Sequence, residues 1–186
     1  MTSMSRIFTS LTITCLLIAP YARADDTAIV RQLESLGGKV VAKDGIVTQV
    51  SFTNCSPLGE ADFRAIGQLT HLKSLTLYGK CHGLTDGTIV HLAGLKELET
   101  LGTDGAQLTD AGLQHFAAFT NLRTASFFHT SFRMAGFTGV GFGHLKACPQ
   151  LERLTVAGIS MGDEGFAAIA KITQCVAWRK RSMIGC

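Results

Sequence analysis

The sequence predicts an α/β protein, a right-handed repeat solenoid with a parallel sheet on its concave side and short helices on its convex side. Three observations predict it. A hydrophobic grammar of the form L-x-x-L-x-L recurs five times, beginning at Val47, Leu72, Leu98, Leu122 and Leu151. Successive starts lie 25, 26, 24 and 29 residues apart, a period that marks stacked supersecondary units. Four of the five rungs are followed by a turn, an acidic residue, and apolar residues three and six positions beyond the acid.

Within a rung the side chains alternate. Leu75 and Leu77 face one way while Ser74, Thr76 and Tyr78 face the other, because successive strand residues point to opposite faces. The acids are Glu60, Asp86, Asp110 and Asp163, and the apolar pairs are Phe63/Ile66, Ile89/Leu92, Leu113/Phe116 and Phe166/Ile169. An acid at that place can cap the free N–H groups of a helix start. The apolar pair then packs the helix back onto the strand layer. One rung cannot bury its apolar face alone, but stacked rungs can. Repeats therefore fill residues 46–175.

The flanks differ from the repeats, as the ends of an array should. Residues 25–45 form an N-terminal cap. There, AIVRQLESLGG reads as an amphipathic helix stopped by Gly37-Gly38, and VVAKDGIVTQVSF as a hairpin about Asp44-Gly45. Residues 176–186 are a charged tail or a truncated repeat. Aligning ITQCVAW on LKACPQL puts Trp178 at the place of Leu151 and Arg181 at that of Leu154.

Residues 1–24 read as a secretory signal peptide. Arg6 precedes an apolar run from Ile7 to Ala19, and Ala22-Arg23-Ala24 is a small-x-small cleavage site. The run is short for a span of ~30 Å of hydrocarbon at ~1.5 Å per residue. The mature chain, expected from Asp25, is then periplasmic or secreted and has no membrane span. It carries 15 basic and 14 acidic residues, since Arg6 and Arg23 leave with the leader. No basic stripe is present, which removes the electrostatic case for nucleic acid or an anionic membrane.

In these motifs the chain resembles the leucine-rich-repeat proteins, of the helix-containing bacterial kind whose repeats read L-T-D-x-G-L. Leu84-Thr85-Asp86 and Leu108-Thr109-Asp110 carry the resemblance most plainly. It covers about residues 46–175 and implies an exported, non-catalytic module that binds a protein partner through its concave face, with no cofactor. Two departures stand out. The post-strand column holds Cys55, Lys80 or Cys81, Ala106, Thr130 and Ile159, so there is no asparagine ladder. The fourth rung carries an insertion, SFRMAGFTGVGFGH, and lacks the acid.

Four features could carry chemistry. Gly158-Ile159-Ser160-Met161-Gly162 matches the G-x-S-x-G of a nucleophile elbow, the basis of an alternative serine-hydrolase reading. However, no histidine follows Ser160, as the hydrolase order requires. The histidines (71, 82, 91, 115, 129, 144) have no metal-ligand spacing, and no C-x-x-C occurs, so no metal site is expected. The glycines at 136, 139, 141 and 143 lack P-loop spacing and read as a flexible insertion loop rather than an anion cradle. Cysteines on neighbouring rungs could bridge as Cys55–Cys81 and Cys148–Cys175, because strands lie ~4.8 Å apart and disulfide Cα atoms ~4.4–6.8 Å. Equally, they serve as small buried hydrophobes.

The concave face should show three rows: Gln49, Ser74, Thr100, Thr124, Arg153; then Ser51, Thr76, Gly102, Ser126, Thr155; then Thr53, Tyr78, Asp104, Phe128, Ala157. It is small, hydroxyl-rich and almost uncharged. Aromatic side chains dominate interface hot spots. The candidate partner-binding residues are therefore Tyr78, Asp104, Phe128, His129 and Arg153. Phe132 and Arg133 join them from the insertion, where Met134 and Phe137 either stand out or tuck onto the repeat edge. A further alternative is a structural remnant of a longer array in the cell envelope.

Overall fold

The computed structural model describes residues 26–130, 137–172 and 177–181, which form a single sheet of seven strands in chain order. The leader, Phe132, Arg133, Met134, Cys175 and Cys186 lie outside the described residues. Helix α1 (Thr27–Ser35) leads into the hairpin of β1 (Lys39–Lys43) and β2 (Ile46–Phe52). Its turn residues Asp44 and Gly45 have φ of 53° and 77°, the left-handed pair that a two-residue hairpin of right-handed twist demands. From β2 onward every pairing is parallel: β3 (Ser74–Leu77), β4 (Thr100–Asp104), β5 (Thr124–Phe128), β6 (Arg153–Ala157) and β7 (Ala177–Arg181). The fold is thus mixed α/β, with a mostly parallel sheet. Among the described residues no helix is long and apolar enough to cross a membrane.

The register of the first five rungs follows the hydrophobic grammar. Val50, Leu75, Leu101, Ala125 and Leu154 lie side by side, as do Phe52, Leu77, Thr103, Phe127 and Val156. Strand β7 corrects the expected alignment. Trp178 pairs with Leu154 rather than standing at the place of Leu151, and Arg181 pairs with Ala157. The reason is the length of the connection. Each strand from β3 to β7 starts six or seven residues after the preceding helix ends. That spacing, and not the match of Cys175 to Cys148, sets the register.

The segments behind the sheet are α2 (Glu60–Gly67), α3 (Asp86–Ile89) running into a 3-10 turn over Val90–Gly94, 3-10 helices over Gly112–Ala118 and Val140–Ala147, and α4 (Asp163–Ala170). Their apolar pairs are buried, with Phe166 half-buried. A spacing of three residues serves a 3-10 helix as well as an α-helix, because i and i+3 eclipse there. Sequence spacing alone could not separate the two.

The acids do something other than the expected capping of their own helices. Three of the four, Glu60, Asp86 and Asp110, reach into the next repeat. Glu60 contacts His91 Nε2 at 3.2 Å. The Asp86 carboxylate accepts from the Thr109 N–H at 2.9 Å and its hydroxyl at 2.6 Å. Asp110 accepts from the Thr138 N–H and hydroxyl, both at 2.9 Å, and from the Gly141 N–H at 3.1 Å. Own-helix capping falls instead to short motifs such as Thr85 with Thr88, whose hydroxyl accepts from the Thr85 N–H at 2.8 Å.

Asp110 also corrects the reading of the glycine-rich insertion. Gly136 lies outside the described residues, while Gly139 precedes, and Gly141 and Gly143 lie within, the 3-10 helix Val140–Ala147. The anion at its start is the protein's own carboxylate. Phe137-Thr138-Gly139 stands where other repeats have L-T-D, and Phe137 tucks inward against Phe142, with ring centroids 6.2 Å apart.

Phe127 fills the core where neighbouring rungs are small, beside Thr103 and Ala125. Its ring centroid lies 5.1 Å from both Phe116 and Phe142. Cys55 and Cys81 are buried free thiols rather than a bridge. Their side chains hydrogen-bond, and that contact, with burial, pushes the Cys55 thiol up. Cys148 is also buried, its thiol donating to the Phe116 carbonyl at 3.3 Å. Burial pushes its pKa up to about 11, so it is a small core residue at pH 7.

Candidate functional site

The open face of the sheet carries the predicted rows. Gln49, Ser74, Thr100, Thr124 and Arg153 are aligned across five strands, and Asp104 pairs with Phe128, which pairs with Ala157. Tyr78 is 37% exposed and meets Phe128 edge to face, with ring centroids 5.9 Å apart and planes at 83°. Tyr78 directly follows β3 and Phe128 ends β5, on either side of β4. They can meet because Gly102 between them has no side chain, and a Cβ there would press on the Tyr78 ring. An edge-to-face pair adds ~0.5–1.5 kcal/mol beyond its area, so the rings hold one another in place over the sheet. Burial, and then the Asp104 charge, push the Tyr78 phenol above its ordinary range, so it stays a neutral hydroxyl.

Asp104 accepts from or faces His129 Nδ1 at 2.8 Å. His129 is exposed just past β5. The residues immediately after Tyr78, Asp104, Phe128 and Ala157 are Gly79, Gly105, His129 and Gly158, and all four have positive φ. His129 is the one non-glycine among them, at φ 48°. Its ring lies over Gly158, where any Cβ would collide with it. Lys80 is a second non-glycine in this region with positive φ, at 57°. Gly79 and Lys80 bulge out of the ladder, so that the Cys81 N–H donates to the Asp104 carbonyl at 2.8 Å.

The bulge opens a hollow of about 230 Å³ lined by Lys80, His82, Asp104, Gly105, Gln107 and His129. The sequence reading named Asp104 and His129 but missed Lys80, His82 and Gln107 as site residues. One signal was available: a histidine in a column of glycines. Arg153 stands apart from the hollow, in the first row on β6. Ser160 is exposed beyond β6 and has no positive φ. Among the described residues no hydrogen bond joins it to a histidine. His71 and His91 pair with Glu97 and Glu60. Among the described residues no cluster of three His, Cys, Asp or Glu side chains could hold a metal.

The class defined by this fold is a mostly parallel α/β repeat protein, with one strand and one helical segment per repeat. Among solved structures, the chain is similar to the tropomodulin C-terminal domain of Caenorhabditis elegans, with 12% sequence identity and a TM-score of 0.52, over 80% of this chain and 90% of that one. That likeness concerns the fold alone. It is also similar, at 19% identity and a TM-score of 0.48 over 64% of its length, to an internalin (inlF) from Listeria monocytogenes. The chain spans 32% of that internalin's length. No protein-family model and no curated protein matches the chain.

Proposed function

We propose that this is an exported, non-catalytic leucine-rich-repeat module, a right-handed solenoid that binds a protein partner across the concave side of its sheet. The observation that carries the proposal is the Tyr78–Phe128 pair. Two large rings are held in fixed geometry on a face otherwise made of small polar side chains. Rigid aromatic anchors surrounded by small groups are what an interface hot spot needs. Extended sheet surfaces are also the usual contact surface of such arrays.

The test is capture of a partner by cross-linking in the envelope fraction of the exporting cell. Tyr78→Ala with Phe128→Ala should weaken capture at least about tenfold, from the loss expected at a hot spot, while leaving the circular dichroism spectrum intact. Undiminished capture would remove this face from consideration. The exported state has its own check: the protein recovered outside the cytoplasm should begin at Asp25, and a chain still beginning at Met1 would contradict it. The hydrolase alternative gains no support: among the described residues no histidine is hydrogen-bonded to Ser160, and its φ is not positive.

A further inference from the structure

We infer that the hollow beside β3, β4 and β5 is a binding site for one carboxylate, the side chain of an aspartate or glutamate on a polypeptide partner. This rests on the interaction reading above and names the chemistry of one contact within it.

The lining is dominated by donors. Lys80 and His82 are exposed, and among the described residues neither side chain makes a hydrogen bond or ion pair. Gln107 adds an amide whose Nε2 donates to the Gly105 carbonyl at 3.2 Å, leaving a second N–H. The one acid, Asp104, is engaged by His129. The backbone offers at most the Lys80 N–H. The N–H groups of Cys81, Gly105 and His129 already donate to the carbonyls of Asp104, Phe128 and Ala157. A dianion such as phosphate calls for several N–H groups or arginines. A site with one lysine, one nearby acid and no more than one spare backbone N–H matches a monoanion instead.

Backbone strain points the same way. Lys80 and His129 both hold a left-handed conformation that glycine adopts freely, and both line this hollow. Elsewhere among the described residues such a non-glycine conformation occurs only at Asp44, in a hairpin turn. Strain of this kind persists where the side chain has a use. The Tyr78–Phe128 rings stand beside Asp104 in the same row, so a partner segment with an acidic residue next to an apolar one fits both features.

The test is a titration of the isotope-labelled protein, followed by nuclear magnetic resonance, with N-acetylglutamate N-methylamide. The uncharged N-acetylglutamine N-methylamide and inorganic phosphate serve as comparisons. Saturable shifts in the millimolar range should appear at Lys80, His82 and Gln107 with the glutamate compound and not with its glutamine counterpart. Lys80→Gly should weaken that binding about tenfold, the loss of one charge-assisted hydrogen bond, without lowering the melting temperature, since glycine suits the backbone there. His82→Gln is a second variant away from the strained backbone and should also weaken it.

Equal shifts with the glutamine compound, tighter binding of phosphate, or indifference to Lys80→Gly would each overturn the assignment. The titration needs no partner, so its failure overturns the carboxylate site even where the Tyr78 and Phe128 substitutions abolish capture. Capture that ignores those two rings instead counts against the docking face and leaves the titration result standing.

Discussion

Phe127→Ala should lower the stability of the protein by about 3–5 kcal/mol, the usual cost of emptying a buried phenylalanine site. Denaturant unfolding followed by circular dichroism would measure it. The value should fall at the upper end for a physical reason. Phe127 is wedged between Phe116 and Phe142, which come from helical segments of successive repeats. Its strand neighbours Thr103 and Val156 are smaller, and Ala125 lies two residues before it. None of these strand neighbours is large enough to fill the space, so the cavity stays open. The stack is also the point where two repeats share one aromatic column, so both lose contacts. A cost under about 1 kcal/mol would mean that the core collapses around the gap, and the shared column would lose its importance.

Asp110→Ala should cost about 2–3 kcal/mol, the range for removing hydrogen bonds made to a charged group. The carboxylate ties Thr138 and Gly141 to the preceding repeat, and no other acid is placed to replace it at the start of that helical segment. The same site predicts a pH effect. Burial pushes the Asp110 carboxyl up, but hydrogen bonds from Thr138, Gly141 and Gly139 together outweigh it and leave it below its ordinary value of 3.8. A depressed carboxyl contributes stability that is present above the unfolded pKa and lost as pH falls through the folded one. Wild-type protein should therefore lose this increment from about pH 4 downward, and Asp110→Asn should flatten that part of the profile. Parallel profiles for the two proteins would show that Asp110 contributes no proton-linked stability.

These two residues also show what was legible in the sequence. Phe127 was readable as core from its place in the L-x-x-L-x-L grammar, since strand alternation fixes the face of every residue once one is known. Asp110 was readable as a helix-start acid, but not for the partner it takes. Hydrophobic spacing records which side of an element faces inward. It holds no record of which neighbouring repeat a side chain leans toward. The hollow at Lys80 was hidden for a related reason. The bulge shows in the sequence only as the choice between Lys80 and Cys81 for the post-strand column, which says nothing of a lined hollow. His129 could have been noticed, because Gly79, Gly105 and Gly158 occupy the matching places and a turn of positive φ favours glycine. The Trp178 register was misjudged because matching cysteines outweighed the length of the connection.

The forward reach of the acids gives the stack a direction. Glu60, Asp86 and Asp110 each hold the helical side of the repeat that follows, the last two at the start of its helical segment. In the last two the donors are the N–H and hydroxyl of a threonine, so the joint between repeats is nearly interchangeable along this stretch. The protein therefore behaves as a chain of like couplings whose strength is set joint by joint. Such a chain can lose or gain a whole repeat without new chemistry, since Asp86 facing Thr138 would make the bond that it now makes to Thr109. Cutting one coupling should loosen the array locally and leave the repeats on either side of the cut standing.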